Sequence, residues 1–247
     1  MAHRRVQARA GWHWLTRGWR LFTQQPLTWL LMAACFLIAS ALLTEIPRLG
    51  PFAIALFGPA LFAGMVHGAR EIDAGRTLYP GSLLRTFRHS ATTLRLVAVG
   101  VIPLATALAL ALLAAPLLDH SVAFPGIGDP VPAGAAAGAL RAFLFFVLAA
   151  TGLLAVLTLL LFTVPRIALA DRALVPALGD SLRAVHDNVG AFCVFVSSYA
   201  ALALLALVPF GLGLLALLPV VAGAVHAAHR EVFGDDMAPR RRPKRAR

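Results

Sequence analysis

Residues that could bind a metal lie near the C-terminal end of the sequence. His226 and His229 are three residues apart, with Glu231 close behind, and this spacing can place two imidazoles on one face of a helix, as in a zinc site. No further cluster of ligand residues accompanies them. The sequence therefore favours an interfacial histidine pair at the end of an apolar segment over a metal site.

The patterns typical of other catalytic sites are missing from the sequence. The segment from Asp119 to Gly138 is rich in glycine but lacks the GK[ST] ending of a phosphate-binding loop. No Ser/His/Asp or Cys/His arrangement lies on a segment able to fold as a soluble catalytic domain. Cys35 and Cys193 both lie in apolar runs and are interpreted as packing residues. We expect no enzymatic activity, cofactor or metal.

The composition indicates that the solvent for most of this chain is lipid. Of its 247 residues 60% are apolar and 13% are charged, yet the net charge is +11. Soluble domains are about 45–50% apolar and about 25% charged, so too few polar side chains are present to cover a water-facing surface. The prediction is a single integral membrane domain over residues 1–247, an all-α polytopic bundle.

Six segments are long and apolar enough to cross a hydrocarbon core about 30 Å thick. The last two form one nearly continuous apolar stretch, broken only at Val208-Pro209-Phe210-Gly211. A single helix of that length would measure about 57 Å, so a Pro/Gly hairpin is favoured, with five spans as the alternative. The predicted spans are 27–44, 49–69, 96–118, 142–164, 191–207 and 209–228.

The basic residues give an independent test of the number of spans, because cytoplasmic loops carry an excess of Lys and Arg. With six spans and the N-terminus inside, 20 of the 22 basic residues are cytoplasmic and only Arg48 and Arg141 lie outside. With five spans the division is 13 to 9. This asymmetry predicts a multi-pass protein of the bacterial inner membrane with both termini in the cytoplasm.

A short amphipathic stretch precedes the first, third and fifth spans, which predicts three hairpins, each introduced by an interfacial elbow helix. The first stretch carries most of the aromatic residues that we expect at headgroup level, where tryptophan is enriched. The second runs from Leu83 to Leu94 and the third from Leu178 to Val189. The predicted membrane-interface residues are Trp12, Trp14, Trp19, Phe22 and Trp29.

Polar residues at corresponding boundaries support an internal repeat. At an offset of 160, Pro59 aligns with Pro219, and Arg70-Glu71-Ile72 aligns with Arg230-Glu231-Val232. Gly64 and Gly68, in a GxxxG spacing, align with the small residues Ala224 and Ala228. Such small residues permit close helix approach, and we expect packing within the bundle rather than dimerisation.

Two motifs resemble those of a group of uncharacterised multi-pass inner-membrane proteins of proteobacteria. The first is G-W-x-W-x-x-x-G-W-x-x-F-x-x-x-P-x-x-W, which begins at Gly11 and ends at Trp29. The second is a late Pro, Ser and Asn pattern at Pro176, Ser181 and Asn188. The resemblance would cover nearly the whole chain and implies location and fold, with no activity to transfer to any residue.

Charged and kinking residues limit the functions that the spans can have. Between the predicted helix ends the six spans contain no Asp, Glu, Lys or Arg, which argues against a proton-coupled pump. Pro59, Pro103 and Pro219 interrupt spans and can mark either a transporter binding site or ordinary kinks, of which kinks are favoured.

The C-terminal tail, residues 239–247, is strongly basic. At a cytoplasmic membrane face such a tail favours contact with anionic lipid headgroups over nucleic acid. The predicted anionic-lipid contacts are Arg240, Arg241, Arg242, Lys244, Arg245 and Arg247.

The sequence is compatible with two functions. The first hypothesis is a non-enzymatic scaffold, accessory or envelope protein, with the bilayer and another membrane protein as candidate partners and no nucleic acid. The alternative is a transporter or binder of a small apolar or lipid-like molecule, which needs no buried charge.

Reporter fusions test the orientation. A periplasm-active reporter inserted at Gly126 should be active, and one fused to the C-terminus should be inactive, because six spans return the chain to the cytoplasm. An active C-terminal fusion would contradict both the six-span topology and the orientation.

Overall fold

The computed structural model describes residues 3–46, 50–117, 135–208 and 210–234. The basic tail, Arg48 and most of the glycine-rich segment lie outside these residues. The described residues form eight α-helices and one 3₁₀ helix, with no β-strand among them. The α-helices are α1 (Ala10–Gln24), α2 (Pro26–Thr44), α3 (Gly50–Asp73), α4 (Ser90–Leu117), α5 (Ala135–Ala170), α6 (Leu174–Asp187), α7 (Val189–Leu207) and α8 (Gly213–Phe233), and the 3₁₀ helix is Pro80–Arg88.

The six predicted spans are confirmed as separate apolar helices, namely α2, α3, α4, α5, α7 and α8. The helical conformation is interrupted between α7 and α8, where Phe210 and Gly211 have φ angles of 53° and 80°. Beyond this turn α8 returns against α7, because an ideal Cβ on Gly213 would lie 2.6 Å from the Cα of Ala206. The five-span alternative is therefore wrong.

Two spans extend further at their C-terminal ends than the sequence predicted. Helix α5 continues to Ala170 rather than ending at 164, and α8 continues to Phe233 rather than ending at 228. In the sequence, Arg166 and Arg230 marked the ends of the apolar runs. Ile167 and Val232 beyond them are nonetheless completely buried, so protein packing continues past the point where the apolar run stops.

Three shorter helices lie where the sequence predicted amphipathic stretches. Helix α1 ends at Gln24, and the next residue, Gln25, has a non-helical φ of −143°, as expected for a residue that precedes a proline. The second predicted stretch, from Leu83 to Leu94, is not one helix. Its first part belongs to the 3₁₀ helix that ends at Arg88, and its last part belongs to α4, which begins at Ser90. The three-hairpin arrangement and the interfacial position of these helices stay predictions.

Glycines allow the short helices to approach the spans closely. An ideal Cβ on Gly18 of α1 would lie 2.1 Å from the carbonyl oxygen of Val220 in α8. One on Gly64 of α3 would lie 2.1 Å from the carbonyl oxygen of Leu83 in the 3₁₀ helix. The expectation that Gly64 permits packing within the chain is confirmed, since a side chain at this position would keep α3 and the 3₁₀ helix further apart.

Substituting Gly18 should therefore loosen the bundle. We expect Gly18→Val to lower the free energy of unfolding by at least about 1–3 kcal/mol, because the clash is with backbone rather than with a flexible side chain. Thermal unfolding in mild detergent measures the effect.

Gly58→Ala is the matched control, since nothing lies within 4 Å of a Cβ at that helical position. It should be neutral or slightly stabilising because alanine favours helix. Equal effects of the two substitutions would contradict the importance of the contact between α1 and α8.

Candidate functional site

An apolar cavity of about 520 Å³ lies among the spans, with walls from α2, α3, α4, α5, α7 and α8. Among the described residues that line it, Tyr199 is the one with a polar side chain. The Tyr199 hydroxyl has no hydrogen-bond partner among the described residues. The volume falls within the range of about 300–1,000 Å³ typical of small-molecule sites, which are mostly apolar with a few polar groups.

Two of the three prolines that interrupt spans line this cavity. Pro59 and Pro103 contribute to its wall, whereas Pro219 is buried elsewhere in α8. Helices α3 and α4 continue through their prolines without a break. The backbone carbonyls of Ala55 and Leu56 approach Gly100 of α4 closely, so α3 and α4 are in intimate contact beside the cavity. The geometry is that of closely packed helices around a space, and kinks at the prolines stay a prediction.

A buried ion pair joins the end of α5 to α6. The side chain of Arg166 is 1% exposed, and its Nε and Nη2 donate hydrogen bonds to Oδ2 of Asp180 at 3.2 and 2.8 Å. The guanidinium of Arg166 also lies 4.6 Å from the ring centroid of Phe233 in α8. The sequence predicted that Arg166 follows the fourth span on the cytoplasmic side. Helix α5 instead continues through Arg166, whose side chain is buried in the protein, while its side of the membrane stays a prediction.

Asp180 is held ionised by its surroundings. Burial raises the pKa of its carboxyl, but the hydrogen bond and charge of Arg166, together with Arg172, outweigh burial and lower the pKa below its ordinary value. The Nε of Arg172 lies 3.4 Å from Oδ2 of Asp180, and the Nη2 of Arg183 lies 3.6 Å from Oδ1. One carboxylate thus balances three guanidinium groups, of which only that of Arg166 is fully buried.

A second polar cluster joins the ends of α3 and α8. The Nε2 of His226 donates to Oδ2 of Asp73 at 3.0 Å, and Arg230 pairs with the same oxygen. His226 is 1% exposed and His229 is completely buried. Both histidines are buried within the protein, because α8 extends past them and packs against α1 and α3. Their position at the membrane interface stays a prediction.

His229 has no hydrogen-bond partner at either ring nitrogen among the described residues. Its ring lies 5.3 Å from that of Phe233. No group of three or more His, Cys, Asp or Glu side chains able to hold a metal occurs in the part of the chain that the structure describes.

The two glutamates that the internal repeat aligned have corresponding contacts. Glu71, at the end of α3, accepts a hydrogen bond of 2.6 Å from Arg85 in the 3₁₀ helix. Glu231, at the end of α8, accepts one of 3.0 Å from the indole nitrogen of Trp14 in α1. Each glutamate therefore ties a span to a neighbouring short helix.

The predicted interface residues do not share one environment. Trp12 and Trp19 are 49% and 53% exposed, and for these two the interface assignment stays a prediction. Trp14, Phe22 and Trp29 are buried and contact protein. The Nε1 of Trp29 donates to the carbonyl oxygen of Leu21 at 3.2 Å, which fixes α2 to the end of α1.

Sequence reasoning missed Tyr199, Asp73 and the pair of Arg166 and Asp180. The repeat contained a usable signal for the span ends, since it aligned Glu71 with Glu231. Nothing in the one-dimensional pattern joined Arg166 to Asp180, which lie on different helices.

The comparisons with known proteins agree with a membrane location. A probable inner membrane protein of Burkholderia thailandensis is 29% identical over 83 residues, which are 34% of this chain and 31% of that protein. The chain thus aligns with about a third of that relative's length. No family model and no solved structure matches. Together with the six apolar helices, this similarity identifies a multi-pass membrane protein.

The ion pair gives a test of stability against pH. Asp180→Asn should destabilise the protein by about 3–5 kcal/mol, because it leaves the buried guanidinium of Arg166 without its countercharge. The folded pKa of Asp180 lies below its unfolded value of about 3.9. The stabilisation is therefore complete above that value and is lost as the pH falls through the folded pKa.

Thermal unfolding of wild type and Asp180→Asn across pH measures this effect, and the difference between them should shrink as the pH is lowered below about 4. The double substitution Arg166→Met with Asp180→Leu is the control. It should recover most of the stability, since neither charge remains buried. A double variant as unstable as the single one would contradict the ion-pair explanation.

Proposed function

We propose that this chain is an inner-membrane protein that binds a small apolar or lipid-like molecule in the cavity between its spans. The observation that carries the proposal is the cavity of about 520 Å³ with the single phenol of Tyr199 in an otherwise apolar wall. An apolar cavity of this kind is a poor site for water. A ligand with a hydrocarbon body and one hydrogen-bonding group suits it.

The location and orientation are part of the same proposal. The name of the Burkholderia relative, a probable inner membrane protein, supports a location in the inner membrane. The predicted distribution of 20 of the 22 basic residues supports cytoplasmic termini. The proposed role is non-enzymatic, with lipid as the principal partner. The scaffold hypothesis is the alternative outcome if the cavity holds no ligand.

Native mass spectrometry after purification in mild detergent tests the proposal. The wild-type protein should retain a bound molecule in stoichiometric amount. Gly58→Leu should lose it, because Gly58 lines the cavity and an added Cβ there meets nothing within 4 Å. The new side chain can then occupy ligand volume without displacing a helix. Tyr199→Phe should weaken retention while leaving the cavity its size.

Ala150→Leu is the matched control, since it adds similar volume at an exposed position of α5. It should leave the bound molecule in place. A wild-type protein that carries no molecule, or a Gly58→Leu variant that folds and keeps it, would overturn the proposal.

A further inference from the structure

A separate pocket of about 340 Å³ lies between α1 and the C-terminal ends of α3 and α8, on the side predicted to face the cytoplasm. Its lining includes Arg17 and Arg20 of α1 and Arg230 of α8. Two adjoining pockets of about 230 and 280 Å³ share Arg17 with it, and Arg4 lines one of them. Arg17 is thus common to all three, and guanidinium groups surround the space.

The positive charge of this region is only partly balanced. Arg17 and Arg20 form no ion pair with any residue that the structure describes. Asp73 is already bound by His226 and Arg230. Glu231, which lines the adjoining pockets, accepts the indole hydrogen of Trp14. Four arginines therefore face two carboxylates that are both engaged.

The fold fixes the backbone positions of Arg17 and Arg20, whose side chains are exposed, and orients the side chain of Arg230. Arg17 and Arg20 are three residues apart on α1, so they lie on neighbouring positions of one helix face. Helix α1 is fixed to α8 by the backbone contact of Gly18. On the other side of the pocket, Asp73 is anchored by the buried His226 and in turn orients Arg230. Placing like charges together on a rigid frame costs stability unless an anion joins them.

The surroundings of the pocket indicate a membrane surface. Trp19 stands between Arg17 and Arg20 in sequence, is 53% exposed, and has its ring centroid 5.4 Å from that of Phe22. Exposed tryptophan is typical of headgroup depth. Guanidinium forks match phosphate oxygens in two-point hydrogen bonding, and basic pockets between helices on the cytoplasmic side suit anionic headgroups.

We propose that the pocket formed by Arg17, Arg20 and Arg230 binds the phosphate group of an anionic phospholipid of the cytoplasmic leaflet. Arg17 and Arg20 supply free guanidinium groups, and Arg230, oriented by Asp73, closes the site from α8. This site is distinct from the apolar cavity and does not depend on a ligand there. It also differs from the basic tail, because its arginines are held by folded helices.

The test is titration of the full chain in mild detergent with phosphatidylglycerol, followed by thermal unfolding and native mass spectrometry. Phosphatidylglycerol should stabilise the wild-type protein and remain bound, whereas phosphatidylcholine should not. Arg17→Gln with Arg20→Gln should weaken phosphatidylglycerol binding by about 10- to 30-fold, as expected from the loss of two surface cations. Arg17→Lys with Arg20→Lys should keep part of the affinity, since it retains charge but not the planar fork.

Arg9→Gln with Arg88→Gln is the charge-matched control, because both arginines are exposed and neither lines the pocket. It should bind phosphatidylglycerol as the wild type does. Equal loss in the two Gln pairs would refute the pocket and indicate general attraction to the surface. A separate titration uses inorganic phosphate in place of lipid. If phosphate stabilises the protein as well as phosphatidylglycerol does, the proposal that the pocket binds a lipid phosphate is refuted. Unfolding in phosphatidylcholine verifies that the Gln variants are folded.

Discussion

The backbone contact between α1 and α8 is the constraint on which the packing of the half predicted to face the cytoplasm depends. Gly18 and Gly223 face each other so closely that a Cβ on Gly223 would lie 2.8 Å from the Cα of Gly18. Because no side chain separates the two helices there, the Trp14 side chain is buried and donates a hydrogen bond to Glu231. The first and the last described helices are thereby joined. The same contact sets the distance between the arginines of α1 and Arg230.

A common arrangement recurs where the spans end. Glu71 binds Arg85, Arg166 binds Asp180, and Glu231 binds Trp14, and in each case a residue near the end of a span holds a short helix. Placing a charged group inside the hydrocarbon core has a high free-energy cost. Paired charges are therefore favoured at the helix ends. The spans between these ends can then be almost wholly apolar, and this leaves room for a cavity whose wall has a single polar side chain. The polar contacts at the span ends and the apolar cavity between the spans are therefore structurally related.

Much of the early motif has a packing role that its composition alone does not disclose. A Cβ on Gly11 would lie 2.2 Å from the carbonyl oxygen of Ala191 in α7, so both motif glycines before Pro26 mark close contacts. Ser181 and Asn188 of the later motif also bridge segments. The Oγ of Ser181 donates to the carbonyl oxygen of Thr158 at 3.0 Å, and Oδ1 of Asn188 accepts from the amide of Val6 at 2.6 Å. These residues explain how the helices dock but not what the protein binds.

The sequence by itself determined the class of the protein, the number of spans and the break between α7 and α8. These follow from local properties: the length of apolar runs against the bilayer thickness and the restricted backbone of Pro and Gly. Only the tertiary structure decided that Arg166, His226 and His229 are buried, and that Tyr199 borders a cavity. Burial of a polar residue depends on which helices surround it, and a volume between six helices depends on all their positions together. Neither quantity is a property of any single segment, so hydropathy placed the charged residues at span ends but could not show which of them enter the core.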